Sequence, residues 1–145
     1  GCSVWLAVAG EADISQVFEW QQMPEIRRYA RNPQVPDRDG HYSWMRARLR
    51  DPFCYFYMVQ KADVPAGVVR LDRLRPGEYE VSIYLAPGLH GQGLGLLALN
   101  LLGELHQELT IHATVLPGNA ASLSLFAAAD YQRVSATEFV LPRRK

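Results

Sequence analysis

The chain has 145 residues, enough for about one domain that buries roughly two-thirds of its unfolded surface. It is 48% hydrophobic and 21% charged, and its 15 basic and 15 acidic residues cancel to a net charge of zero. That balance leaves no electrostatic footprint for nucleic acid or an anionic membrane, and no apolar run reaches the roughly 18 residues of a membrane span. The two cysteines, Cys2 and Cys54, have neither a metal-ligand spacing nor a disulfide framework. A cytoplasmic protein without metal is the expectation. The start at Gly1 fits either a domain cut from a longer protein or a residue left by a tag.

Ser3 to Ala9 is short, apolar and β-prone, and predicts a first strand ended by Gly10. Asp13 is placed to cap a helix reaching Gln22, with Ile14, Val17, Phe18 and Trp20 as its apolar stripe. Pro24 restarts the chain into a second helical piece over Glu25 to Ala30. Asn32 to Gly40 contains Pro33, Pro36, Asp37 and Gly40 and reads as a loop. His41 to Arg50 carries Trp44, Met45 and Leu49 at helical spacing and stops at Asp51-Pro52.

Phe53 to Gln60 is dense in aromatics and reads as a buried strand. Lys61-Ala62-Asp63 turns the chain into a second strand, Val64 to Leu74, with Gly67 suggesting a bulge. Arg75-Pro76-Gly77 turns it again into Tyr79 to Leu85. Three strands joined by tight turns imply an antiparallel meander. Leu96 to Leu105 is a helix with a broad leucine face, Thr110 to Leu116 a strand and Asn119 to Ala129 a helix. Tyr131 to Leu141 is a final strand pair broken near Ser135-Ala136. The sum is a mixed α+β fold in one domain, 1–145.

The segment between the meander and the leucine helix, His90-Gly91-Gln92-Gly93-Leu94-Gly95, carries the chemistry. A glycine turn that opens a helix offers unpaired backbone N–H groups at the positive end of the helix dipole, which suits a phosphate or pyrophosphate. A dinucleotide fingerprint would follow the first strand of a βαβ unit, with an acidic residue about 20 residues on. This turn follows the third strand of a meander. No Lys-Ser or Lys-Thr follows the last glycine, so a Walker loop is excluded as well.

Here the chain resembles the GNAT superfamily of acyl-CoA-dependent N-acyltransferases. Its signature, (Arg/Gln)-x-x-Gly-x-(Gly/Ala) between a strand and a helix, matches His90 to Gly95 with His in place of Arg or Gln. Val115 to Tyr131 looks like the family's second block. The resemblance implies a single-domain GNAT-like fold: a mostly antiparallel sheet of about seven strands flanked by about four helices. It implies acetyl-CoA as co-substrate, with its pantetheine along the backbone near Ile83 and Leu85. The amides of His90, Gly91, Gln92, Gly93, Leu94 and Gly95 would take the pyrophosphate, and Asn119 and Ser122 would line the opposite wall. Phe126 stands where many members carry a Tyr that protonates the departing thiolate, so that role is vacant or moved.

An ammonium has no lone pair, so the acceptor amine must lose a proton before it attacks the thioester. Glu80 is the candidate base, against the alternative of a surface carboxylate. Tyr84 shares its strand face and is the candidate replacement donor, against simple packing. Arg31-Asn32 before the Pro-rich loop, then His41-x-x-Trp44, resembles the subgroup that acetylates nucleotide-linked deoxy-amino sugars, some of whose members are fused to a sugar-nucleotide hydrolase. In that reading Arg31, Asn32, His41 and Trp44 meet the substrate. The alternatives are core packing for Trp44, a solvated charge for Arg31 and a helix-start surface residue for His41. The expected partner is a small-molecule amine, with neither nucleic acid nor membrane, and a homodimer is compatible. The other open functions are acetylation of a peptide or protein amine, and a non-catalytic acyl-CoA-binding regulatory domain.

Overall fold

The computed structural model describes residues 3–28 and 34–145. In chain order its elements are β1 (Val4–Val8), a 3-10 turn (Glu11–Asp13), α1 (Ile14–Gln21), α2 (Pro24–Arg27), α3 (Arg38–Arg50), β2 (Cys54–Lys61), β3 (Val64–Arg75) and β4 (Glu78–Leu85). There follow α4 (Leu94–Leu105), β5 (Thr110–Thr114), α5 (Ala120–Ala128), β6 (Gln132–Arg133) and β7 (Glu138–Leu141). The strands form one seven-stranded sheet in the order β1-β2-β3-β4-β5-β7-β6. All neighbours are antiparallel except β4 and β5, which run parallel through the α4 crossover. The mostly antiparallel α+β sheet is as expected from the sequence, and its five helices include α2, the short second piece that begins at Pro24.

Both faces of the sheet carry an apolar cluster, which is why β2 and the middle of β3 read as near-continuous apolar runs. On one face α4 and α5 cover Val69, Leu71, Val81, Ile111 and Phe139, with Leu99 and Leu102 of α4 packed into them. On the other face α1 and α3 set Ile14, Val17, Trp20 and Met45 against Phe56, Met58 and Val68. Alternation along β4 therefore splits its side chains: Tyr79, Val81, Ile83 and Leu85 join the α4 side, and Tyr84 the α1 side.

Several local details differ from the sequence reading. Asp13 does not cap α1; its carboxylate accepts the Gly10 N–H at 2.8 Å and closes the 3-10 turn instead. Helix α3 begins three residues before His41, and β5 ends at Thr114 rather than Leu116. The bulge expected near Gly67 is present: Val59 pairs with Gly67 and Gln60 with Pro65, leaving Ala66 as the extra residue. A Cβ at Gly67 would stand 2.4 Å from the Tyr84 carbonyl oxygen, so only glycine lets β3 approach the end of β4 this closely.

Candidate functional site

Strands β4 and β5 pair only through Glu78–Thr110, Tyr79–Ile111 and Glu80–His112. Beyond His112, β5 stays with β7 as far as Thr114–Glu138, while β4 stays with β3 as far as Leu85–Gly67. The two parallel strands therefore part at Glu80. From Val81 to Leu85 the β5-facing edge of β4 has no strand partner among the described residues. Unpaired backbone N–H and C=O groups seek hydrogen bonds. An extended amide-bearing ligand in the fork satisfies them as a strand would. Ile83 and Leu85 lie along this edge, with their side chains turned into the α4 core.

The glycine turn sits at the mouth of the fork. Gly91 and Gly93 adopt φ of +80° and +76°, a left-handed conformation that side-chain-bearing residues rarely take. No heavy atom lies within 4 Å of where a Cβ would stand at either position, so their surface is open to a ligand. The first intrahelical bond of α4 runs from the Leu97 N–H to the Gly93 carbonyl. It leaves the amides of Leu94, Gly95 and Leu96 unused by the helix. Leu94 and Gly95 anchor the turn from below: Leu94 is buried, and a Cβ on Gly95 would press on the Leu125 methyls at 3.2 and 3.3 Å. Gly95 is thus a packing glycine between α4 and α5, whereas Gly91 and Gly93 shape the cradle.

Polar side chains gather beside the turn. Lys61 Nζ donates to Gln92 Oε1 at 2.9 Å, and exposed His90 places Nε2 3.4 Å from the Glu25 carboxylate of α2. Across the fork, Asn119 caps α5, its Oδ1 accepting the Ser122 N–H at 3.2 Å. That bond commits the Asn119 side-chain oxygen to the helix cap.

On the α1 face, an open groove of about 310 Å³ lies at the fork, lined among others by Arg75, Glu80, His112, Thr114 and Glu138. Thr114 Oγ1 donates to Glu80 Oε2 at 3.3 Å, and His112 Nε2 lies 2.7 Å from Glu78 Oε1. The hydrogen bond from His112, with help from Arg75 Nη1 at 2.7 Å, holds the Glu78 carboxyl below the usual range. Tyr84, two turns of the pleat from Glu80, packs edge-to-face on Trp20 at 6.2 Å. Its hydroxyl is sealed beside Gln21, and burial pushes its pKa up to about 12. It can donate a proton only to a strong base.

A family model described as an acetyltransferase (GNAT) domain matches residues 4–132. The chain belongs to the GNAT acetyltransferase family. No curated protein matches it in sequence. Among solved structures, the aminoglycoside acetyltransferase AAC(6')-Ib in complex with coenzyme A and kanamycin matches with a TM-score of 0.85 at 20% identity. That match covers 97% of this chain and 95% of the other. The spermidine N-acetyltransferase of Vibrio cholerae, with CoA and spermine, gives 0.87 at 14% identity, over 97% and 95%. The acetyltransferase yncA of Salmonella typhimurium, described as putative, with acetyl-CoA, gives 0.78 at 19% identity, over 100% and 95%. At these identities the likeness establishes the shared fold.

Within this GNAT domain the acceptor-side residues divide. Arg31 and Asn32 lie outside the described residues. His41 is 3% exposed and packs against Phe18, Tyr42 and Trp44, where burial lowers its pKa. It is a core histidine, not a surface contact, which corrects the reading from the sequence. Trp44 is 37% exposed, with the guanidinium groups of Arg70 and Arg48 at 4.9 and 5.5 Å from its ring. Both arginines bind Asp72, at 2.7 and 2.9 Å. Phe126 is 4% exposed between Tyr131 and Phe139. Its ring belongs to the core. The site residues that sequence reasoning missed are Glu78, His112 and Thr114. Their signal was present only as alternation on a five-residue strand, Thr110–Thr114, whose partner strand the sequence does not name.

Proposed function

We propose that this domain transfers the acetyl group of acetyl-CoA to a primary amine of a small molecule. The observation that carries the reading is the fork: an unpaired β4 edge from Val81 to Leu85 that leads to an open glycine cradle at the start of α4. The amides of Gly91 to Gly95 would hold the pyrophosphate, with the α4 dipole and Lys61 adding favourable charge. The β4 edge near Ile83 and Leu85 would hold the pantetheine by backbone hydrogen bonds, and Asn119 and Ser122 would close the far wall. Acetyl-CoA supplies the activated acyl group, a thioester with a good leaving thiol.

Glu80 stands where the strands part and is the base of this reading. It takes a proton from the ammonium, freeing the lone pair for attack on the thioester carbonyl. Overall, an ammonium and a thioester become an amide, a thiol and one released proton. The Tyr84 hydroxyl is sealed in the core under Trp20 and Phe126 has none, so neither serves as the donor expected from the sequence, and the departing thiolate takes its proton from solvent in this reading.

The first acceptor to test is the amino group of a nucleotide-linked amino sugar. Trp44 and its flanking Arg48 and Arg70 support it, as a stacking surface with positive charge. A cationic polyamine or aminoglycoside is the second, favoured by the carboxylates of Glu80 and Glu138 in the groove. Kanamycin and spermine occupy two of the structural neighbours. Release of CoA thiol is measured with acetyl-CoA and a panel of sugar nucleotides, polyamines, aminoglycosides and peptides. Turnover with one class identifies the acceptor. Acetyl-CoA binding without turnover across the panel would replace this reading by a regulatory acyl-CoA-binding domain. For Glu80→Gln the expectation is a kcat roughly 100-fold lower and loss of the acid limb of the pH profile.

A further inference from the structure

The transfer chemistry proposed above loads Glu80 with a proton in each turnover, and the carboxylate must be emptied before the next. Its neighbour on the parallel strand is His112, in register with it at the last pair before the strands part. Adjacent strands lie about 4.8 Å apart. Glu80 and His112 both line the groove, which has room for a water between the two side chains.

The imidazole is held in one orientation. A carboxylate only accepts hydrogen bonds, so the 2.7 Å contact from Nε2 to Glu78 Oε1 requires that Nε2 carry the hydrogen. The neutral ring then presents Nδ1 as a bare acceptor, and Nδ1 makes no hydrogen bond to a described residue. This is the arrangement of a base with an orienting carboxylate behind it. The charged groups around His112 are Glu78 and Glu80 on β4, Arg75 at the end of β3, and Glu138 on β7. Glu78 is itself kept ionised by His112 and Arg75.

We propose that His112 is a proton-relay residue for this acetyltransferase: it takes the amine's proton from Glu80 and passes it to bulk water, with Glu78 orienting the ring. The Glu80 O–H bond breaks as a groove water takes its proton, and that water gives one of its own to form the His112 Nδ1–H bond. The imidazolium then gives up a proton to water in the open groove and returns to its neutral tautomer. The residue acts through Glu80 and touches neither the acyl group nor the thiol. An imidazole suits this task because one ring nitrogen can take up a proton while the other stays hydrogen-bonded to its orienting carboxylate.

The competing account is that Glu78 and His112 merely tie β4 to β5. His112→Gln separates the two, because a glutamine amide donates to Glu78 but has no basic nitrogen to take up a proton. With saturating acetyl-CoA and an amine that the wild type turns over, kcat of His112→Gln falls by roughly 10- to 100-fold, and imidazole in the buffer restores part of it. Its acetyl-CoA KM and melting temperature stay near wild type. A His112→Gln enzyme with kcat within twofold of wild type and no response to imidazole overturns the relay and leaves the transfer reading standing. A wild type that binds acetyl-CoA and turns over no amine overturns both.

Discussion

Gly93→Ala separates what the glycine turn holds from how it folds. Gly93 has φ of +76°, where an L side chain costs about 1–2 kcal/mol. For a chain of this size that is a fall in Tm of roughly 2–8 °C. The new methyl meets no protein atom within 4 Å, so no packing clash adds to the cost. It does protrude into the space assigned to the pyrophosphate. Wild-type protein with acetyl-CoA at 100 times its Kd gains about 2.7 kcal/mol, which is roughly 5–11 °C in Tm. The prediction for Gly93→Ala is a small intrinsic loss and a ligand-induced shift under one third of wild type, read by thermal unfolding with and without acetyl-CoA. Gly95→Ala is the contrast: its Cβ presses on Leu125, so it loses intrinsic stability while keeping most of the ligand shift. A Gly93→Ala protein with a full wild-type shift would refute the assignment of this turn to the phosphates.

His90→Ala is expected to keep acetyl-CoA affinity within about threefold by titration calorimetry, because backbone amides carry the phosphate contacts and exposed charges contribute little. Phe126→Tyr is expected to leave kcat within twofold and to cost about 1–3 kcal/mol in denaturant unfolding, since its hydroxyl would enter a core lined by Tyr131 and Phe139. A raised kcat would show that the ring faces the thioester. Burial lowers the pKa of both His41 and His106, so below about pH 6.5 the unfolded chain binds protons that the folded one does not. Stability therefore falls as pH drops from 7 to 5. His106→Gln, which can keep a bond to Tyr57, should flatten that slope in a series of Tm measurements, and an unchanged slope would remove His106 from the account.

The meander was legible because tight turns such as Arg75-Pro76-Gly77 announce antiparallel neighbours, and local turn chemistry is a property of a few adjacent residues. Boundaries slipped where partners decide them. Helix α3 gains Arg38 to Gly40, and β5 stops at Thr114 because its pairing with β7 ends there. His41 sits at helical spacing with Trp44, yet only the packing of α1 against α3 makes it a buried ring rather than an acceptor contact. Phe126 marked a missing hydroxyl in the sequence, and the core around Tyr131 and Phe139 explains why an apolar ring suits the position.

The sequence by itself determined the α+β class, the glycine turn and its place behind three strands, because spacing and turn residues are local quantities. It also set Glu80 and Tyr84 on one face of β4 through the two-residue period of a strand. Only the tertiary structure decided that β4 and β5 run parallel for three residues and then part at Glu80. The same pairing brings His112 and Thr114, more than 30 positions away, beside Glu78 and Glu80. Register between distant strands depends on which apolar faces α4 and α5 cover and on how β7 draws β5 aside. No local stretch of chain encodes that choice.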